Sequence, residues 1–241
     1  MSQTPTLTPA TDLAAKASHP FPNDSPDYRK ARTELLAAEI ELRRHLERVA
    51  AMRRALPAGG AVPMDYEFTG EDGTAVKLSG MFGKFDTLVI YTWMYGPQRK
   101  RPCPMCTALL GPLDGNGADL MQRVALAVVG KSPIERQVAF KKERGWRNLK
   151  LYSTNGNSEF TKAYRGEGPD GQEWPALNVF TRDADGTVRH FWGGEMDGST
   201  LDPGQDPRGA PDFSPLWNVL DLTPQGRGTD WYPELDYPQQ A

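Results

Sequence analysis

Hydrophobic positions follow a helical period over residues 26–57, after an N-terminal stretch that shows no period. Leu35, Leu42, Val49 and Leu56 recur every seven residues, and strong helix formers fill the positions between them. This pattern predicts one amphipathic helix of about 30 residues, about 45 Å long. A helix of that length either packs across its own domain or meets a second copy, so a homodimer is one of two interpretations of this stretch.

The pattern changes over residues 62–193, where short apolar runs alternate with helical stretches. Runs rich in β-branched and aromatic residues predict buried strands, here at residues 88–95, 124–129, 149–152, 176–181 and 188–192. Asp72-Gly73 predicts a hairpin before them, and Ser132-Pro133 predicts a capped helix start. This alternation indicates an α/β sheet with right-handed crossovers, to which the closing hairpin adds an antiparallel edge.

The two ends of the chain lack such periodicity. Residues 1–25 are rich in Pro, Thr, Ser and Ala, and they are predicted to form a flexible arm. Residues 194–241 are expected to form a loop dense in Gly, Pro and Asp, a short helix at 212–222 and a polar tail. The predicted organisation is an arm (1–25), a long helix (26–57), an α/β domain (62–193) and a C-terminal loop and tail (194–241).

The only two cysteines in the chain follow the predicted strand Leu88–Tyr95, in the motif Cys103-Pro104-Met105-Cys106. Pro104 suits the first position of a helix, where its missing N–H costs nothing, so Cys103 is expected at the helix N-cap. The helix is expected to be interrupted near Gly111-Pro112. The positive partial charge of a helix N-terminus lowers the pKa of a thiol there, and so do neighbouring basic residues, here Arg99, Lys100 and Arg101.

Composition narrows the classes of function. The formal net charge is −3, which gives no electrostatic basis for binding nucleic acid. No apolar run approaches the roughly 18–20 residues that cross a bilayer, and the first residues do not resemble a secretory signal, so no membrane partner and a cytoplasmic location are expected. Two cysteines in a reducing compartment favour a catalytic or metal-binding role over a structural disulfide.

These motifs together resemble the thioredoxin superfamily, in its peroxiredoxin-like branch. The resemblance lies in the strand followed by Cys103-Pro-Met-Cys106, in Trp174-Pro175 before a later strand, and in the turn Asp183–Gly186. The flanking stretches Arg53–Pro57 and Leu220–Arg227 further resemble a bacterial family known as a domain of unknown function. The resemblance implies a thioredoxin-like three-layer fold: a central mixed sheet with helices on both faces, preceded by the long helix and followed by an irregular tail.

The resemblance also implies a dithiol–disulfide oxidoreductase. In that hypothesis Cys103 attacks a thiol or disulfide substrate, either a protein or a small molecule, and Cys106 resolves the mixed disulfide. The bond between Trp174 and Pro175 is expected to be cis and to face the cysteines, bordering the substrate groove. The basic patch would stabilise the thiolate, and the chemistry needs no cofactor and no metal.

Other interpretations stay open. The chain could be a non-catalytic interaction protein that dimerises through its long helix, with vestigial cysteines. Cys103 and Cys106 could supply half of a zinc site, or with His190 a copper site. Thiol peroxidases form a further alternative, but they place Thr or Ser three residues before the reactive cysteine, where this chain has Lys100 before Cys103.

Overall fold

The chain divides into two compact units, Met1–Pro57 and Ala58–Ala241. In this computed structural model, the residues described are 7–17, 19–194, 196, 200, 202, 213–228 and 230–238. Among them, no helix is both long enough and apolar enough to cross a membrane.

The first unit consists of helix α1 (Ala10–Ala17) and helix α2 (Pro26–Arg54). The long helix is therefore confirmed, and it begins as its sequence indicates. Ser25 is the N-cap, its hydroxyl accepts a hydrogen bond from the Tyr28 N–H at 3.1 Å, and Pro26 occupies the first turn.

The short helix α1 lies in the stretch expected to be a flexible arm. Its Ala10 and Ala14 pack against Ile40 of α2, with Leu13, Leu36 and Ala37 around them. Eight Ala-rich residues are too few to be helical alone, so this helix depends on contacts that a local pattern does not reveal. Residues 1–6 and 18 of the expected arm lie outside the described residues.

The second unit is built on one mixed sheet. Among the described residues its strands are β1 (Glu67–Gly70), β2 (Ala75–Lys77), β3 (Thr87–Trp93), β4 (Ala125–Gly130), β5 (Lys150–Ser153), β6 (Ala176–Arg182) and β7 (Val188–Gly194). Its described helices are α3 (Leu78–Met81), α4 (Pro104–Gly115), α5 (Gly117–Leu120), α6 (Ile134–Arg144), α7 (Glu159–Ala163) and α8 (Pro215–Leu220). The strand order is β2-β1-β5-β4-β3-β6-β7.

The central strand β3 fixes the architecture. It runs parallel to β4 and antiparallel to β6, and α4 crosses between the two parallel strands. Leu88 and Ile90 pack into one buried cluster, which includes residues of α3 and α7, whereas Tyr91 and Trp93 pack into a second cluster with residues of α4 and α6. Helices cover both faces of a mixed sheet, so the predicted three-layer α/β architecture is confirmed.

Local expectations differ from the structure at two helices. α4 continues through Pro112, where an interruption was expected. At α6 the N-cap is Pro133, because the buried Ser132 hydroxyl donates to the Gly96 carbonyl at 3.1 Å instead of capping the helix. The helix expected at 212–222 is α8, Pro215–Leu220, with Ser214 as its N-cap, and residue 212 lies outside the described part of the chain.

Candidate functional site

The two cysteines lie at the carboxyl end of the central strand. Cys103 is the N-cap residue of α4, as expected, and its N–H donates to the Met94 carbonyl at 3.0 Å, which holds the cap against the end of β3. The Cys103 side chain is partly exposed, whereas Cys106, within the first turn of α4, is 2% exposed. Of the two cysteines, only Cys103 is therefore partly open to solvent.

The pKa of Cys103 is lowered from its ordinary value of 9.0 to about 6. The main cause is a hydrogen bond from the Cys106 thiol, which stabilises the thiolate. Burial opposes this effect, while the backbone N–H groups of Cys106 and Met105 and the charge of Arg99 support it. Cys103 is therefore mainly a thiolate at neutral pH.

The pKa of Cys106 moves in the opposite direction, well above its ordinary value. The causes are the hydrogen bond to Cys103, then burial, then the negative charge of Cys103. Tyr91 on β3 belongs to the same buried cluster, and its hydroxyl is hydrogen-bonded to the Cys106 sulfur. Burial above all raises the pKa of Tyr91 well above its usual range, so the phenol stays protonated and donates. The site therefore holds one thiolate and one protonated thiol.

The basic patch divides into separate contacts. The charge of Arg99 contributes to the lowered pKa of Cys103, and its Nε donates to Glu173 Oε2 at 2.7 Å. Arg101 instead forms two hydrogen bonds to the carboxylate of Glu143, at 3.0 and 2.6 Å. The backbone carbonyl of Lys100 accepts a hydrogen bond from an arginine of α6. The charge of Arg99 thus contributes to the lowered pKa of Cys103, and the roles expected for Lys100 and Arg101 stay predictions.

Trp174 and Pro175 immediately precede β6, whose first residue, Ala176, pairs with Thr92 near the carboxyl end of β3. The register therefore brings this segment to the carboxyl end of β3, where the cysteines also lie. The Trp174 N–H donates to the Gly166 carbonyl at 3.1 Å. The preceding residue, Glu173, is the carboxylate that pairs with Arg99.

Polar residues that the sequence patterns did not single out also lie near the carboxyl ends of the strands. Lys131 directly follows β4, and its Nζ donates to Glu167 Oε2 at 2.6 Å and to the Ser158 hydroxyl at 2.9 Å. Glu173 Oε1 is buried without a hydrogen-bond partner. The position of Lys131 directly after a fully apolar strand could have marked it in the sequence. The pairing of Glu173 with Arg99 is visible only in the folded structure.

The metal alternative finds no support in the geometry. Among the described residues, no group of three or more His, Cys, Asp and Glu side chains is placed to hold a metal ion. The His190 Nε2 instead lies 2.8 Å from Asn178 Oδ1, and its ring packs against the ring of Tyr164. His190 is on β7, which β6 separates from β3, so it is not brought to the cysteine pair.

Comparisons with known proteins give one family and a set of partial structural likenesses. The family model described as "Bacterial protein of unknown function (DUF899)" matches residues 18–237. No curated protein matches the chain in sequence.

Among solved structures, a peroxiredoxin-like protein from Aquifex aeolicus is 21% identical, covering 57% of this chain and 75% of its own, with a TM-score of 0.41. A PrxQ mutant from Xylella fastidiosa is 14% identical, covering 57% of this chain and 84% of its own, with a TM-score of 0.44. An exposed lipoprotein thioredoxin from Streptococcus pneumoniae is 18% identical, covering 52% and 85%, with a TM-score of 0.38. These likenesses are partial, and the fold assignment follows from the strand order and the packing on both faces of the sheet.

Proposed function

The chain belongs to the bacterial family DUF899, and we propose that it is a thiol–disulfide oxidoreductase in which Cys103 is the nucleophile and Cys106 the resolving thiol. The observation that carries the proposal is the contrast between the two sulfurs. Cys103 is partly exposed with a pKa lowered to about 6, and Cys106 is buried with its pKa raised. An accessible thiolate beside a protected thiol is the arrangement that disulfide exchange needs.

The reaction proceeds in two balanced steps. The Cys103 thiolate attacks one sulfur of a substrate disulfide, a mixed disulfide between substrate and enzyme forms, and the other substrate sulfur leaves as a thiolate. Cys106 then loses its proton, which the first substrate thiolate takes up through water, and attacks the Cys103 sulfur. The bond between Cys103 and the substrate breaks, the second substrate sulfur leaves as a thiolate, and the enzyme retains the Cys103–Cys106 disulfide. The substrate gains two electrons, which an external dithiol reductant must return to the enzyme.

The first step prepares the second. A hydrogen bond to the Cys103 thiolate and the charge of that thiolate both raise the pKa of Cys106. Both disappear when Cys103 enters a mixed disulfide, because its sulfur is then neutral. The hydrogen bond from Tyr91 to the Cys106 sulfur remains, and it stabilises the thiolate that must form. The resolving thiol thus becomes more acidic only after substrate has bound covalently.

The surrounding residues have supporting roles in this proposal. Trp174 and Pro175 border the groove in which the substrate backbone lies beside Cys103. Arg99 supports the Cys103 thiolate. The substrate is a protein or small-molecule disulfide, and the reducing cytoplasm is the compartment in which a dithiol of this kind is kept reduced.

The test is reduction of a protein disulfide, with insulin as substrate and dithiothreitol as the electron donor. Wild-type protein is expected to accelerate the reaction, Cys103→Ser to abolish the acceleration, and Cys106→Ser to accumulate a mixed disulfide that mass spectrometry detects. Equal rates for wild type and Cys103→Ser, with insulin and with hydrogen peroxide, would mean that the cysteines are vestigial. Peroxide consumption that depends on Cys103, without insulin reduction, would assign a thiol peroxidase instead.

A further inference from the structure

Helix α2 carries two apolar faces. Leu36, Ala37 and Ile40 form one face, which α1 covers. A second apolar stripe, here called the exposed seam, consists of Tyr28, Leu35, Leu42, Leu46 and Met52, whose relative exposures are 51%, 53%, 59%, 60% and 69%. The seam therefore remains open to solvent after the helix has packed within its own unit.

The seam is long and regular. It runs from Tyr28 to Met52 along one helix, which is about 36 Å at 1.5 Å per residue. Tyr28, Leu35, Leu42 and Val49 are spaced by seven residues, and Ala31, Ala38, His45 and Met52 follow them at the intermediate position of the same heptads. This is the spacing with which two helices pack side by side.

The sizes of the side chains favour an antiparallel pair. In a parallel pair each layer joins identical residues, so layers with two leucines would alternate with layers holding two copies of Ala38 or of His45. An antiparallel pair joins the two heptad positions. Leu42 then meets Ala38 of the second copy, and Val49 meets Ala31, so that each of these layers holds one large and one small side chain. In the same register Leu35 meets His45 and Tyr28 meets Met52, so no layer holds two alanines or two histidines, and each layer has at least one large side chain to fill it.

The charges beside the seam favour the same orientation. Glu34 and Arg48 lie on the same flank of α2, and in the antiparallel register that joins Leu42 to Ala38, Glu34 of one copy faces Arg48 of the other. In a parallel pair opposite flanks meet, which brings Glu34 beside Glu39 of the second copy. The contact of Glu34 is thus attractive in the antiparallel pair and repulsive in the parallel pair.

The centre of the antiparallel register brings carboxylates of the two copies near each other. Two of them are already paired within their own helix, since Arg32 bonds to Glu39 at 3.1 Å and Arg44 bonds to Glu41 at 2.7 Å. These ion pairs reduce the repulsion across the axis.

We propose that the protein is a homodimer in which the exposed seam of α2 packs antiparallel against the same seam of a second copy. The proposal goes beyond the thiol chemistry and does not depend on it.

The first test is the mass of the full-length protein in solution by sedimentation velocity across micromolar concentrations. Wild type is expected to be a dimer, and Leu42→Glu, which places a charge in the seam, is expected to be a monomer. Ala51→Glu is the matched control, because Ala51 is exposed on the opposite side of the same helix. Circular dichroism checks that both variants keep their helix. A monomeric wild type, or equal dissociation of both variants, overturns the proposal.

The second test determines the orientation. Arg48→Glu is expected to weaken the antiparallel dimer about tenfold, since an attractive contact on each side becomes repulsive. Adding Glu34→Lys to the same chain is expected to restore the affinity. In a parallel dimer Arg48 lies beside Arg53 of the second copy, so Arg48→Glu would strengthen association and would contradict the proposed orientation.

Discussion

Arg99 Nε donates to Glu173 Oε2 at 2.7 Å, across 74 positions of sequence. This ion pair joins the loop that leads to Cys103 with the segment that leads to Trp174 and Pro175. The Glu173 side chain is 16% exposed and the Arg99 side chain 36% exposed, so water screens the contact in part. The position of the proposed nucleophile and the wall of the proposed groove are therefore coupled through one side-chain contact.

The thiolate should depend first on its neighbouring cysteine. Cys106→Ala removes the hydrogen bond that is the main cause of the lowered pKa of Cys103, so this pKa is expected to rise from about 6 towards 9.0. Thiolate absorbance at 240 nm, followed against pH, measures the change. Cys106→Ser is the matched control, because its hydroxyl can still donate and should preserve part of the effect. A midpoint that stays near 6 in the alanine variant would contradict the assigned cause.

Arg99 should have a smaller effect on the same titration. Its charge is the last of the causes that lower the pKa of Cys103, and its side chain is 36% exposed, so water screens it. Arg99→Gln is expected to raise this pKa by about half a unit or less. Arg101→Gln is the matched control, since Arg101 bonds to Glu143, and it should leave the titration unchanged. Equal shifts of the Cys103 pKa in both variants would show that Arg101 stabilises the thiolate as much as Arg99 does.

Tyr91 should act on the second chemical step and not on the first. Tyr91→Phe removes the hydroxyl that bonds to the Cys106 sulfur, so the pKa of Cys106 should rise further and its attack on the mixed disulfide should slow about tenfold. The reaction with 5,5′-dithiobis(2-nitrobenzoate) separates the steps. The first thionitrobenzoate released reports attack by Cys103, and the second reports resolution by Cys106.

The control for this variant is Tyr95→Phe, which deletes the same atom in the same buried cluster. The second phase is expected to slow in Tyr91→Phe alone, while the first phase keeps its wild-type rate and pH midpoint in both variants. Slowing of both phases by both substitutions would indicate a general loss of packing.

The local parts of this site could be predicted from the sequence. The strand Thr87–Trp93 is mostly apolar because both of its faces are largely buried, and Pro104 marks the first position of a helix. Together they place Cys103 at the junction without any knowledge of the rest of the chain. The opposite pKa shifts of Cys103 and Cys106 could not be predicted in this way, because they depend on which of the two residues is buried in the folded protein.

The contacts that the sequence did not reveal are those made between distant segments. The hydrogen bond from Tyr91 to Cys106 depends on how α4 packs against β3. The Ser132 hydroxyl donates to the Gly96 carbonyl and does not cap α6. In each case a residue with a reasonable local role has a partner that only the tertiary structure supplies. The position of a residue in a helical or strand repeat indicates which face of the element its side chain lies on. It does not indicate which side chain from another segment contacts it there.

The buried pair of Lys131 and Glu167 should contribute strongly to stability and should make it depend on pH. Their side chains are 14% and 4% exposed. Burial alone would raise the pKa of Glu167. Hydrogen bonds from Lys131, Ser158 and Thr161 outweigh this effect, so the pKa is lowered. A carboxyl whose folded pKa is depressed stabilises the fold above its unfolded pKa, and this contribution is lost as pH falls through the folded value. Stability should therefore decline below about pH 4, which urea unfolding measures.

Substitutions separate this pair from other sources of acid sensitivity. Glu167→Gln leaves the Lys131 charge buried without its partner, so a loss of about 3 kcal/mol in the free energy of unfolding is expected. Lys131→Met should cost a similar amount, and the double variant should lose much less than the sum of the two, since neither charge then remains. Asp119→Asn, at an exposed position, is the control and should change stability little. Additive losses in the double variant would show that the two side chains stabilise the fold independently, and the steep acid dependence would then have to arise from another carboxylate.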